Sequence, residues 1–140
     1  MDRETAEGQL PASAPLANPY VPFQRENPPR YDARKGIVRG TMYPGLDLPF
    51  MGMINNRELP VTPLSELQAL GFALNDLAMY LDTHRDDKEA LEVYRSYQDI
   101  YHKGMMEYNA ERTPLSHGMP TSSKEYNWLN DPWPWEYCKN

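Results

Sequence analysis

Residues 64–113 read LSELQALGFALNDLAMYLDTHRDDKEALEVYRSYQDIYHKGMMEYNAERT. This window contains none of the chain's 14 prolines. Its apolar residues recur at helical spacing: Leu64, Leu67, Leu70, Leu74, Leu77 and Leu81, then Ala90, Leu91, Tyr94, Tyr97, Tyr101, Met105 and Tyr108. The polar run Asp82 to Asp87 interrupts the pattern once. The spacing therefore predicts two antiparallel helices joined by a short turn within 82–87, an αα-hairpin.

Each helix carries local start and stop signals. Thr62 is a capping residue, Pro63 suits the first helical position, and Ser65 and Glu66 fall in the first turn. Gly71 costs about 1 kcal/mol of helix propensity against alanine, and close approach of the second helix would justify it. Phe72 and Met79 lie off the leucine stripe and are expected to meet the arms or a partner. Asp86, followed by Glu89, reads as the capping box of the second helix. That helix is expected to run to about Arg112, where Thr113-Pro114 stops it. At about 1.5 Å per residue it spans roughly 40 Å and outlasts the first. Its stripe of Tyr94, Tyr97, Tyr101 and Tyr108 predicts a half-wet packing face or an interface.

The flanks are proline-rich. Residues 1–18 lack periodicity and are expected to be disordered. Residues 19–62 form an arm and connector in which Tyr20, Phe23, Tyr43, Leu46, Leu48 and Phe50 alternate with prolines. Proline holds such a segment extended or turning. One short helical turn is expected over Asp32 to Lys35, ending before Gly36, and Asn55-Asn56 is a turn candidate. The arm either links or lies across its own hairpin or a partner, and its aromatic side chains favour the second. Residues 63–140 comprise the hairpin and a tail carrying Trp128, Trp133 and Trp135. Indoles are costly to leave in water, at about 25 cal/mol per Å². They are expected to dock on the hairpin or on another protein. The fold class is all-α: a small antiparallel αα-hairpin with extended arms at both ends.

The totals agree with one small domain of 140 residues. A 50-residue hairpin is marginal without help from its arms or partners. One cysteine, Cys138, excludes an intrachain disulfide. Net charge is −6, with seven basic and seven acidic side chains before residue 61, and seven against thirteen after it. That distribution argues against a nucleic-acid-binding face. No apolar run reaches the length of a membrane span, and no signal peptide is visible at the acidic N-terminus. The expectation is a protein that does not leave by the general secretory route.

The helix from Leu67 through Leu81-Asp82-Thr83-His84, the sequel Asp86 to Leu91, and the terminal Asp131-Pro132-Trp133-Pro134-Trp135 together resemble the spore coat protein CotJB family over Leu64–Glu136. Residues Tyr20–Phe50, with Tyr-Val-Pro-Phe-Gln and Gly40-Thr41-Met42-Tyr43-Pro44-Gly45-Leu46, are similar to the small companion protein CotJA. The two resemblances imply a natural fusion of neighbouring coat components. They imply a non-enzymatic protein made in the mother cell and laid into the inner coat of a bacterial endospore. They also imply a partner, CotJC, which resembles manganese catalase. Arg85 departs from the family's usual proline after the histidine, which loosens the turn.

No catalytic constellation is evident. His84, His102 and His117 are widely spaced, and none pairs with a carboxylate at Glu-x-x-His spacing. Asp82 and His84 could bind a metal, but such residues more often cap helix ends. Asp86, Asp87 and Glu89 lack the spacing and glycine of a calcium loop. No phosphate loop or nucleophile elbow occurs. The expectation is no catalytic, cofactor or metal residue, with Tyr20, Phe23, Phe72, Tyr97, Tyr101, Trp128, Trp133 and Trp135 as partner-binding anchors. A metal-handling accessory that loads or retains a manganese enzyme is the alternative, weakly supported by the acidic second half.

Overall fold

The computed structural model describes residues 21–48, 59–112, 114–119, 124–130, 133 and 135. The N-terminal tail, Tyr20, the Asn55-Asn56 turn candidate and Cys138 lie outside the described residues. Among the described residues three α-helices form in order: α1 (Ala33–Arg39), α2 (Pro63–Thr83) and α3 (Lys88–Glu111), with a 3-10 turn over Pro44–Leu46 between the first two. The described residues include no strand.

α2 begins as its sequence dictates. Thr62 Oγ1 accepts from the Ser65 N–H at 3.1 Å, and Ser65 Oγ accepts in return from the Thr62 N–H at 3.0 Å. Pro63 occupies the first turn, where its missing N–H costs nothing. The helix closes at His84, whose N–H donates to Tyr80 O at 3.0 Å. Thr83 Oγ1 donates to the same carbonyl at 3.1 Å. The turn therefore falls within 82–87. The cap of α3 is Asp87, one residue beyond the expected Asp86: its Oδ1 accepts from the Ala90 N–H at 2.9 Å. The shift has a tertiary cause, because Asp87 Oδ2 also accepts the Tyr80 hydroxyl proton at 2.7 Å.

α2 is the central helix. One side packs on α3. A Cβ on Gly71 would stand 3.4 Å from the Tyr101 ring, and one on Gly104 would stand 3.0 Å from Leu67 Cδ2. Small residues thus let α2 and α3 approach at two levels, as expected for Gly71. The other side of α2 receives the N-terminal arm. Met42, Tyr43, Ala73, Tyr80 and Ala90 form one buried cluster, with Phe72, Leu46, Leu81 and Tyr97 packed against it. This clamping from two sides explains the burial pattern. Ala69, Ala73 and Tyr80 are buried beside Leu67 and Leu77, whereas Leu70, Leu74 and Leu81 of the leucine stripe are only half-buried.

The arm is less extended than its prolines suggest. α1 runs straight through Gly36 instead of stopping before it. Asp32 caps it, accepting from the Lys35 N–H at 2.9 Å. It ends at Gly40, in the left-handed region at φ 79°, a conformation glycine adopts without strain. Gly36 serves packing: a Cβ there would lie 2.7 Å from Met42 Sδ.

Leu77 is completely buried, while Met79 on the same helix is 55% exposed. Leu77→Ala should cost about 2–5 kcal/mol, and Met79→Ala should stay within about 0.5 kcal/mol. Urea unfolding followed by helical circular dichroism measures both. Equal losses would contradict the clamped arrangement of α2.

Candidate interaction surfaces

The arm meets the hairpin through polar anchors set around the buried cluster. Asp76, in mid-α2, accepts from the Met42 N–H at 2.7 Å and from Thr41 Oγ1 at 3.4 Å. Arg34 forms an ion pair with Glu66 and donates to Leu59 O at 2.6 Å. Arg30 pairs with Glu89 of α3 at 2.5 Å. The arm also braces itself. Buried Asp47 accepts from Arg39 Nε at 2.6 Å, from Arg39 Nη2 at 2.9 Å and from the Tyr31 hydroxyl at 3.0 Å. Such bidentate, charge-assisted bonding is what a buried carboxylate requires.

Tyr80 stands at the junction. Its hydroxyl accepts from the Asn27 N–H at 3.0 Å while donating to Asp87. Its ring lies 5.2 Å from that of Tyr43 and stacks on His84 at 4.2 Å. Burial and the bond to Asp87 push the Tyr80 hydroxyl above its ordinary pKa. Burial, reinforced by the Asp76 charge, pushes Tyr43 further in the same direction. The N–H of Ala90 holds Asp87 below the usual carboxylate range, with Tyr80 contributing. A cleft of about 550 Å³ opens beside this junction, lined by Glu26, Asn27, Thr83, His84 and Lys88 among others.

A second surface lies on the C-terminal tail. Buried Asn109, near the end of α3, accepts from the Leu115 N–H at 3.0 Å, and its Nδ2 donates to Met119 Sδ at 3.0 Å. That contact turns the chain back on the last turns of α3. Beyond it runs an aromatic ladder. His117 meets Trp128 edge-on at 5.9 Å, Trp128 meets Trp133 edge-on at 6.2 Å, and Trp133 stacks on Trp135 at 5.2 Å and 8°. Trp128 and Trp133 are half-buried in the ladder, and Trp135 is 76% exposed.

The anchors expected from sequence divide into an internal and an exposed group, with half-buried Trp128 and Trp133 between them and Tyr20 outside the described residues. Phe72 and Tyr97 pack against the cluster that holds the arm, and Tyr101 covers Gly71, so these three make contacts within the chain. Phe23 and Trp135 face solvent, with Val21, Tyr126 and Leu129 also exposed. The residues that sequence reasoning passed over are Asp76, Asp47, Arg30, Arg34 and Arg39. A charge contrast could have signalled them: Arg25, Arg30, Arg34, Lys35 and Arg39 crowd the arm, while α2 carries acidic residues and no Lys or Arg. Among the described residues, no three His, Cys, Asp or Glu side chains converge as metal ligands. His84 Nδ1 instead lies 2.9 Å from Thr83 Oγ1 and 3.2 Å from Tyr80 O, at the helix end.

Because Tyr80 and Tyr43 are raised above the ordinary tyrosine value of about 10, they stabilise the fold while protonated. That contribution is fully present below about pH 10 and is lost as pH rises through their folded values. Tyr43 and Tyr80 should therefore ionise above the ordinary tyrosine value, with loss of helix as they do, which tyrosinate absorbance and circular dichroism against their Tyr→Phe variants measure. Ionisation of Tyr43 and Tyr80 at the ordinary value in a chain that keeps its helix would contradict this reading.

Two family matches bear on this architecture. Residues 62–136, more than half of the chain, match the family described as CotJB protein. Residues 15–50 match the family described as Spore coat associated protein JA (CotJA). No curated protein and no solved structure matches. The arm that packs on α2 thus falls in the CotJA match, and the hairpin and aromatic ladder fall in the CotJB match. The chain belongs to the CotJB family and joins it to a CotJA segment, which gives it a role in spore coat assembly.

Proposed function

We propose that this chain is a non-enzymatic component of the inner coat, made in the mother cell. In this reading it assembles with other coat proteins, among them a manganese-catalase-like CotJC partner. The observation that carries the reading is the aromatic ladder, whose terminal member Trp135 is stacked on Trp133 yet 76% exposed; Tyr126 and Leu129 of the same tail are exposed as well. An exposed indole at the end of a stacked aromatic series suits an interaction site, since tryptophan and tyrosine dominate interface energetics. Membership in two coat families supplies the setting.

Phe72 and Tyr97 support binding indirectly in this reading, by holding the arm against the hairpin. Trp135 is the direct anchor. Co-expression with the catalase-like partner and native mass measurement test the assignment. The chain and partner should co-elute at micromolar concentration, and Trp135→Ala should weaken the complex about tenfold or more without loss of helix. Glu92→Ala, on an exposed position, should change little. Separate elution after co-expression would show the partner to be wrong. Manganese should follow the partner; manganese retained by the isolated chain would favour the metal-handling alternative.

A further inference from the structure

We propose that residues 21–48 are a bound ligand of the hairpin, and that the α2 face can accept this arm from a separate polypeptide carrying the same sequence. Three observations carry the inference. First, the arm has its own internal scaffold. Tyr31 N–H donates to Met42 O at 2.7 Å, and Asp47 ties Arg39 to Tyr31 within the same segment. It therefore presents a preformed surface and loses less entropy on docking than a loose chain would.

Second, the contact has the anatomy of an interface between two proteins. Met42 and Tyr43 are 1% and 2% exposed, and they fill a small-residue site at Ala73. Around that anchor sit charged and polar pairs: Arg34 with Glu66, Arg30 with Glu89, and Asp76 on the Met42 N–H. A buried apolar centre with a polar rim is the usual pattern. The charges complement each other, a basic arm against a helix without Lys or Arg.

Third, the two family matches do not overlap. One ends at residue 50 and the other begins at residue 62, so the docked surface lies between two units that each have a family of their own. Tethering raises the local concentration of the arm but creates none of these contacts.

The full chain tests this with a protease site placed within residues 51–58 and cut after folding. The two fragments should co-elute on size exclusion at micromolar concentration. A labelled peptide of residues 19–50 in excess should replace the resident arm, and Asp76→Ala in the hairpin should weaken its uptake at least tenfold. The same peptide carrying Met42→Ala provides an independent arm, since it cannot disturb the folding of the hairpin; it too should bind at least tenfold more weakly. Separation of the cut fragments at micromolar concentration overturns the proposal. Peptide uptake indifferent to Met42→Ala overturns it as well.

Discussion

The hydroxyl of Tyr80 is the point on which the remaining structure depends. It receives the Asn27 N–H from the arm and gives its proton to Asp87, the residue that caps α3. Its ring lies against Tyr43 and stacks on His84, the residue that closes α2. One side chain thereby joins the arm, the central helix, the turn and the start of α3. A tyrosine suits the task because its ring can be buried while its hydroxyl serves one donor and one acceptor. Tyr80 itself is 3% exposed, and its hydrogen bond to a charged carboxylate contributes about 1.5–3 kcal/mol. That is a large share of the stability of a small domain.

From this junction the organisation of the chain follows. The arm adds to the core of α2 by burying Met42 and Tyr43 against Ala73. The inner aromatic residues Phe72, Tyr97 and Tyr101 are spent on this internal packing. In the tail ladder Trp128 and Trp133 are half-buried, and Trp135 is the exposed member. The molecule thus divides its aromatic residues between holding itself together and presenting a surface, a division that suits a component of a multi-protein coat.

Features set by local chemistry were legible in the sequence. Thr62-Pro63 starts α2, and the apolar period breaks at 82–87, because capping hydroxyls, proline and spacing act over a few residues. The family resemblance was legible from Leu81 to His84 and from the Pro-Trp-Pro-Trp signature. What local reading missed was decided at a distance. Asp87 rather than Asp86 caps α3 because Tyr80 reaches it. Gly36 reads as a helix stop, yet it is glycine because Met42 packs on it. Asp76 resembles any solvated mid-helix acid until the Met42 N–H is placed beside it. The partition of the aromatic anchors into internal and outward groups likewise required knowing where the arm lies.

Tyr80 couples the arm to both helices. Amide hydrogen exchange on Tyr80→Phe, which keeps the ring and removes the hydroxyl, tests it most directly. Protection should be lost together at Met42 and Tyr43 in the arm and at Ala90 and Leu91 in the first turn of α3, with the middle of α2 retained. Loss confined to the residues next to position 80, with the arm and α3 as protected as before, would contradict it.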